Sequence, residues 1–148
     1  MGGRGAATGY SYRMLRKRKK DGSYGYEPYG KEYGSEFNTV YKVGHIRFVK
    51  NTGDSVTPPV ETRSGSKRIY VTVGKDDRPK HITYYAKNGQ RIKQIDLYGP
   101  AHTVNGIKIP TPHTHLGYLH DEGGTRTSLT NQESAMIDFV NKVWKNRK

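Results

Sequence analysis

Apolar positions fall into three regimes along this 148-residue chain. From residue 1 to about 36 no strand or helix period is sustained. Gly and Tyr alternate loosely, as in GSYGYEPYGKEYG, around the basic run Arg16-Lys17-Arg18-Lys19-Lys20. That segment carries too little apolar surface to offset its ordering entropy, so residues 1–36 are expected to form a flexible, disordered basic arm. A single domain is expected over 37–148. Within it, TVYKVGHIRFVKN (39–51) is rich in β-branched and aromatic residues and predicts one strand, or two bent at Gly44. KRIYVTVGK (67–75) alternates, with Ile69, Val71 and Val73 on one face. Between them NTGDSVTPPVETRSGS (51–66) reads as a loop, since Pro58-Pro59 excludes regular structure.

The sharpest local signal is KHITYYAK-NG-QRIKQIDLY, two strand-like runs around Asn88-Gly89, the preferred two-residue hairpin turn. Such a turn pairs His81 with Asp96, Ile82 with Ile95, Thr83 with Gln94, Tyr84 with Lys93 and Tyr85 with Ile92. Gly99-Pro100 should end the sheet, leaving 100–128 as a long loop region. The third regime is helical. Thr130-Asn131-Gln132-Glu133 fits a capping box, after which Met136, Ile137, Val140, Val143 and Trp144 make one apolar stripe suited to packing on the sheet. The expected fold is α+β: a small antiparallel sheet of three or four strands packed by a C-terminal helix.

Composition narrows the function. Lys and Arg number 26 against 13 acidic residues, a net charge of +13. This excess favours a polyanionic partner, nucleic acid first and then an acidic protein face or an anionic membrane, or else a protein surface that normally holds nucleic acid. Residues Arg16, Lys17, Arg18, Lys19 and Lys20 are the candidate nucleic-acid contacts, with the arm's tyrosines available to stack on bases. The absence of cysteine removes disulfides and thiolate chemistry, so any zinc must rely on histidine and carboxylate. No run approaches a membrane span, no membrane partner is expected, and the N-terminus lacks a secretory h-region. A cytoplasmic protein is the simplest expectation.

The candidate chemistry centres on PTPHTHLGYLHDE (110–122), where His113, His115 and His120 fall within eight residues. In an extended chain His113 and His115 share one side, two residues apart, and can reach one ion at about 2.0–2.1 Å. His120 can join only if Gly117 bends the chain; Asp121, Glu122 or His102 could complete the shell. The candidate metal ligands are therefore His113, His115, His120 and Asp121. Paired histidines beside a cation could equally cleave RNA by general acid–base catalysis without metal, and a polar loop with no site is the third alternative. His81 opposite Asp96 is a second catalytic candidate, the carboxylate orienting the imidazole, although cross-strand charge pairing explains the pair as well. With His115, these are the residues assigned to catalysis. No P-loop is present, and the H-x-T at 81–83 has no second copy to make a two-histidine phosphoesterase.

Three stretches carry a resemblance: the GGRGA opening, HITYYAKNGQRIKQIDL, and PHTHLGYLHDE followed by NQESAMIDFVNKVWKN. Over residues 37–148 the chain resembles small phage and mobile-element proteins of Gram-positive bacteria. The pattern ITYY, KQIDL, PTPH-x-H is also similar to polymorphic-toxin RNase domains of the barnase–EndoU–colicin–RelE class. The resemblance implies action on host nucleic acid or host defence inside a bacterial cell. Two functions follow from it: a toxin-like RNase or nuclease, or a non-catalytic inhibitor of the anti-CRISPR kind whose histidine-bound zinc staples a loop.

Overall fold

The computed structural model describes residues 6–7, 14–18, 24–28, 37–51, 56, 58–59, 61–62, 68–118 and 123–148, by backbone alone at 6–7, 14–18, 24–28 and 61. Three strands precede residue 37: β1 (Ala6–Ala7), β2 (Met14–Arg18) and β3 (Tyr24–Pro28). Then come β4 (Phe37–Val43), β5 (Ile46–Asn51), β6 (Glu61–Thr62), β7 (Arg68–Val73), β8 (Pro79–Tyr85) and β9 (Arg91–Asp96). The chain closes with β10 (His102–Val104), β11 (Ile107–Ile109), β12 (His113–Leu116), β13 (Thr125–Arg126) and the helix α1 (Asn131–Asn146).

The main sheet has seven strands, ordered β13-β12-β9-β8-β7-β5-β4. This corrects the expectation of three or four. Residues 39–51 fold into two strands turning at Gly44, whose φ of +57° suits glycine. The other additions come from 100–128, read as loop: β12 and β13 join the sheet beyond Gly99-Pro100, and β10 pairs with β11 as a separate hairpin. Nor is the sheet wholly antiparallel, because β5 and β7 run parallel. The segment 52–67 between them lets the chain re-enter in the same direction, which a tight hairpin does not allow.

The β8–β9 hairpin keeps four of the five expected pairs; Tyr85 instead faces Arg91 across an irregularity, leaving Ile92 as the additional residue. The turn is the reason. Gly89 N–H donates to Ala86 O and Ala86 N–H to Gln90 O, so three residues rather than two cross between the strands. Gly89 then takes the positive φ that closes such a loop.

Alternation along the strands gives the sheet two faces. On one, Ile46, Phe48, Val71, Val73, Ile82 and Ile95 pack against Val140 and Trp144 of α1. Trp144 stacks on Phe48 with ring centroids 5.3 Å apart, and its Nε1–H donates to Asp77 O. The helix begins as its sequence dictates: Thr130 Oγ1 accepts from Glu133 N–H while the Glu133 carboxylate accepts from Thr130 N–H. Glu133 is fully buried and also binds Arg126 of β13 through both guanidinium NH groups, tying the helix start to the sheet edge. The opposite face holds Phe37, Val49, Tyr70 and Tyr85, covered in part by buried Pro58 and Pro59, with Tyr85 donating to Pro59 O. Toward one end this second face turns polar.

Within 1–36, β2 and β3 pair antiparallel, and β1 pairs with β6; the rest of that stretch lies outside the described residues.

Candidate active site

The hairpin register sets His81 of β8 opposite Asp96 of β9. On the other side of β9, β12 sets His113 opposite the same residue and His115 opposite Gln94. Asp96 is therefore flanked by histidine on both neighbouring strands. Period-two alternation sends Thr114 to the opposite face, where it pairs with Ile95, and leaves both histidines on the polar face.

The two carboxylate oxygens have different partners. Oδ1 lies 2.7 Å from His81 Nδ1 and accepts from Gln94 Nε2 at 2.8 Å. Oδ2 lies 3.1 Å from His113 Nε2 and 3.0 Å from His115 Nε2. Burial alone pushes this carboxyl up; the bonds from His115 and His81, the charge of His81 and the Gln94 amide outweigh it and hold Asp96 well below the usual carboxylate range.

Hydrogen-bond partners constrain the tautomers. His113 Nδ1 is 3.2 Å from both Ile109 O and Pro110 O. Carbonyls only accept, so Nδ1 carries a proton, and in a neutral ring Nε2 is a lone pair directed at Asp96 Oδ2. A second proton shared by the pair, or a metal ion between them, would satisfy this contact. His113 is 1 % exposed, and an imidazolium at that depth carries a desolvation cost. Carbonyl partners on Nδ1 are also what fixes a histidine that ligates through Nε2. His115 Nδ1 meets Thr125 Oγ1 at 2.9 Å, a hydroxyl able to donate or accept, so this ring is held in place by either tautomer.

Asp96, His113 and His115 can hold a metal ion: one ligand atom from each lies within 4.8 Å of the others. A tetrahedral ion with bonds of about 2.0–2.1 Å keeps its ligand atoms roughly 3.3 Å apart. The distances of 3.0 and 3.1 Å from Oδ2 to the two imidazoles are close to that spacing.

These groups line a cleft of about 330 Å³, whose walls also include Val56, Pro58, Lys80, Tyr98 and His102. The His102 ring packs edge-on to His115, centroids 5.0 Å apart, and lies 6.2 Å from His113. The His81 ring, whose Nδ1 faces Asp96 Oδ1, also lines the cleft.

Of the residues singled out in the sequence, the structure brings His81, Asp96, His113 and His115 together around one carboxylate. His120, Asp121 and Glu122 lie outside the described residues, as do Lys19 and Lys20; Arg16, Lys17 and Arg18 fall on β2. Gly117, on which the placement of His120 depends, has a φ of +103° and donates its N–H to Ile92 O, so the chain does turn there. Sequence reasoning gave Asp96 a role toward His81 alone. Its second role follows from β12 docking on β9, and that of Thr125 from β13 pairing with β12. The alternation in His113-Thr114-His115 is the available signal for that strand.

No protein-family model, curated protein or solved structure matches the chain. Among the described residues no helix is long and apolar enough to cross a membrane.

Proposed function

We propose that the protein is a ribonuclease centred on Asp96. Through Oδ1 this carboxylate orients His81, and together with His113 and His115 it would hold a zinc ion. The observation that carries the reading is this division of one part-buried carboxylate between a histidine lining a cleft and two imidazoles whose ligand atoms lie within 4.8 Å of it and of each other. Among the described residues three protein ligands stand beside a cleft, the donor set that a catalytic zinc uses. The loop-stapling alternative also has less to explain, because His113 and His115 sit on a strand inside a seven-stranded sheet.

A zinc ion held by these three residues would supply positive charge near the phosphate. The chain's own residues supply the proton transfers. His81 Nε2, with Asp96 stabilising the imidazolium that forms, accepts the proton of the 2′-hydroxyl that attacks the adjacent phosphorus. Lys80, next along β8 and on the cleft wall, offsets charge on the phosphate. His102, against His115, returns a proton to the leaving 5′-oxygen. The chain's charge of +13 favours the approach of a polyanion. DNA, lacking the 2′-hydroxyl, is not cut by this route.

The test is purified wild-type protein incubated with RNA and with DNA of the same sequence, beside His115→Ala, with zinc quantified by elemental analysis. RNA cleavage lost in His115→Ala, with about one zinc per chain that falls in His113→Ala, is expected. Intact RNA after incubation with metal-loaded wild type would remove the enzyme reading.

A further inference from the structure

The reactive groups are recessed. Side chains of His81 and His115 are each 12 % exposed, Asp96 15 % and His113 2 %. They lie in a cleft of about 330 Å³, at the low end of the roughly 300–1,000 Å³ typical of small-ligand sites. A space of that size takes about one nucleotide. A stacked duplex, stiff and broad, keeps its sugars and phosphates outside such an opening, whereas a single strand can insert one unit at the cost of little stacking.

The cleft wall has the parts to receive that unit. Tyr98 follows β9 by two residues and presents its ring there. Its hydroxyl donates to Asp76 Oδ1 at 2.5 Å, and the same carboxylate accepts from Arg78 Nε. Arg78 Cζ is thereby fixed 4.0 Å from the Tyr98 ring centroid. Lys80 Nζ lies 5.4 Å from that ring and, among the described residues, forms no ion pair, so its ammonium can reach a phosphate. Asp76 thus holds the Tyr98 hydroxyl and the Arg78 guanidinium together, and Lys80, next to His81, adds a second cation. Bases stack on such rings irrespective of sequence, and the cations hold the backbone.

We infer that the substrate is single-stranded RNA, taken one nucleotide deep, with a base on Tyr98 and the adjoining phosphate beside Lys80, Arg78 backing the platform. This rests on the ribonuclease reading and adds to it the strand state of the substrate and the residue that recognises a base.

The experiment compares zinc-loaded wild type, Tyr98→Leu and Tyr98→Phe on one fluorescent RNA oligonucleotide, alone and annealed to its complement. Thermal unfolding establishes that each variant is folded. Single strand should be cut at least about tenfold faster than duplex. Tyr98→Leu should lower kcat/KM on single strand roughly 10- to 100-fold, the effect of one lost base stack, while Tyr98→Phe keeps the ring and stays within about threefold of wild type. Equal cutting of duplex and single strand, or wild-type kcat/KM in Tyr98→Leu, overturns this inference and leaves the ribonuclease standing. A wild type that cuts neither form overturns both. Should Tyr98→Leu fail to fold, Tyr98→Met on the same two substrates decides: a tenfold or greater loss of kcat/KM on single strand supports the subsite, and wild-type kcat/KM overturns it.

Discussion

The two faces of the sheet are made by the same strands and have opposite characters. Ile82 and Ile95, paired across β8 and β9, are fully buried beneath α1. Their immediate neighbours His81 and Asp96, paired across the same ladder, form the polar centre on the other side. The helix face is apolar, packed and closed. The second face begins with Phe37, Val49, Tyr70 and Tyr85, passes through Thr72, Thr83 and Gln94, and ends at three histidines around one carboxylate. The polar centre is thus carried on strands, whose positions are less variable than those of a loop, and not on the face that α1 covers.

This comparison can be broken from either side. The largest effect is expected on the polar face: His81→Ala should lower the rate of RNA cleavage about 10²- to 10⁴-fold while the urea unfolding midpoint stays near wild type. A large loss of stability without a specific loss of rate would make His81 structural. On the helix face Trp144→Ala should cost about 3–5 kcal/mol in urea unfolding, because it empties the space over Phe48, with activity per folded molecule retained. Reduced activity in the fraction that remains folded would show that the faces are coupled.

A smaller effect concerns pH. Burial pushes the Glu133 carboxyl up, but Arg126, the Thr130 N–H and Lys93 pull it down to about 2, from an ordinary value of 4.5. A lowered folded-state pKa means that its contribution is complete above about pH 4.5 and is lost as pH falls toward 2. It amounts to roughly 3 kcal/mol at most. Glu133→Gln should therefore be less stable than wild type at pH 7, with the gap narrowing from pH 4.5 downward; a gap independent of pH would contradict this assignment. Smallest of all, Val40→Thr, on an exposed position of β4, should change stability by no more than about 0.5 kcal/mol.

What was legible in the sequence was local. The capping box needs only Thr130 and Glu133, three residues apart, and the structure forms it. The pairing of His81 with Asp96 needs only a turn between two strands, and it tolerated a turn one residue longer because Ile92 absorbs the difference. β12 was not legible as a sheet strand. It is four residues long, follows two prolines, precedes a glycine, and pairs with β9 across an intervening hairpin. Its histidines could be read as co-facing, since that needs only an extended backbone. That Asp96 would stand between them could not be read, because the contact depends on which strand β12 docks against. The parallel pairing of β5 and β7 was hidden for the same reason.

The most direct test of Asp96 as the shared centre is Asp96→Asn, with zinc content and RNA cleavage measured on the same folded sample. Asparagine keeps the size of the side chain and removes its charge. The account predicts that zinc falls from about one per chain to near none and that cleavage is lost with it. Wild-type zinc content and wild-type cleavage in Asp96→Asn would contradict it.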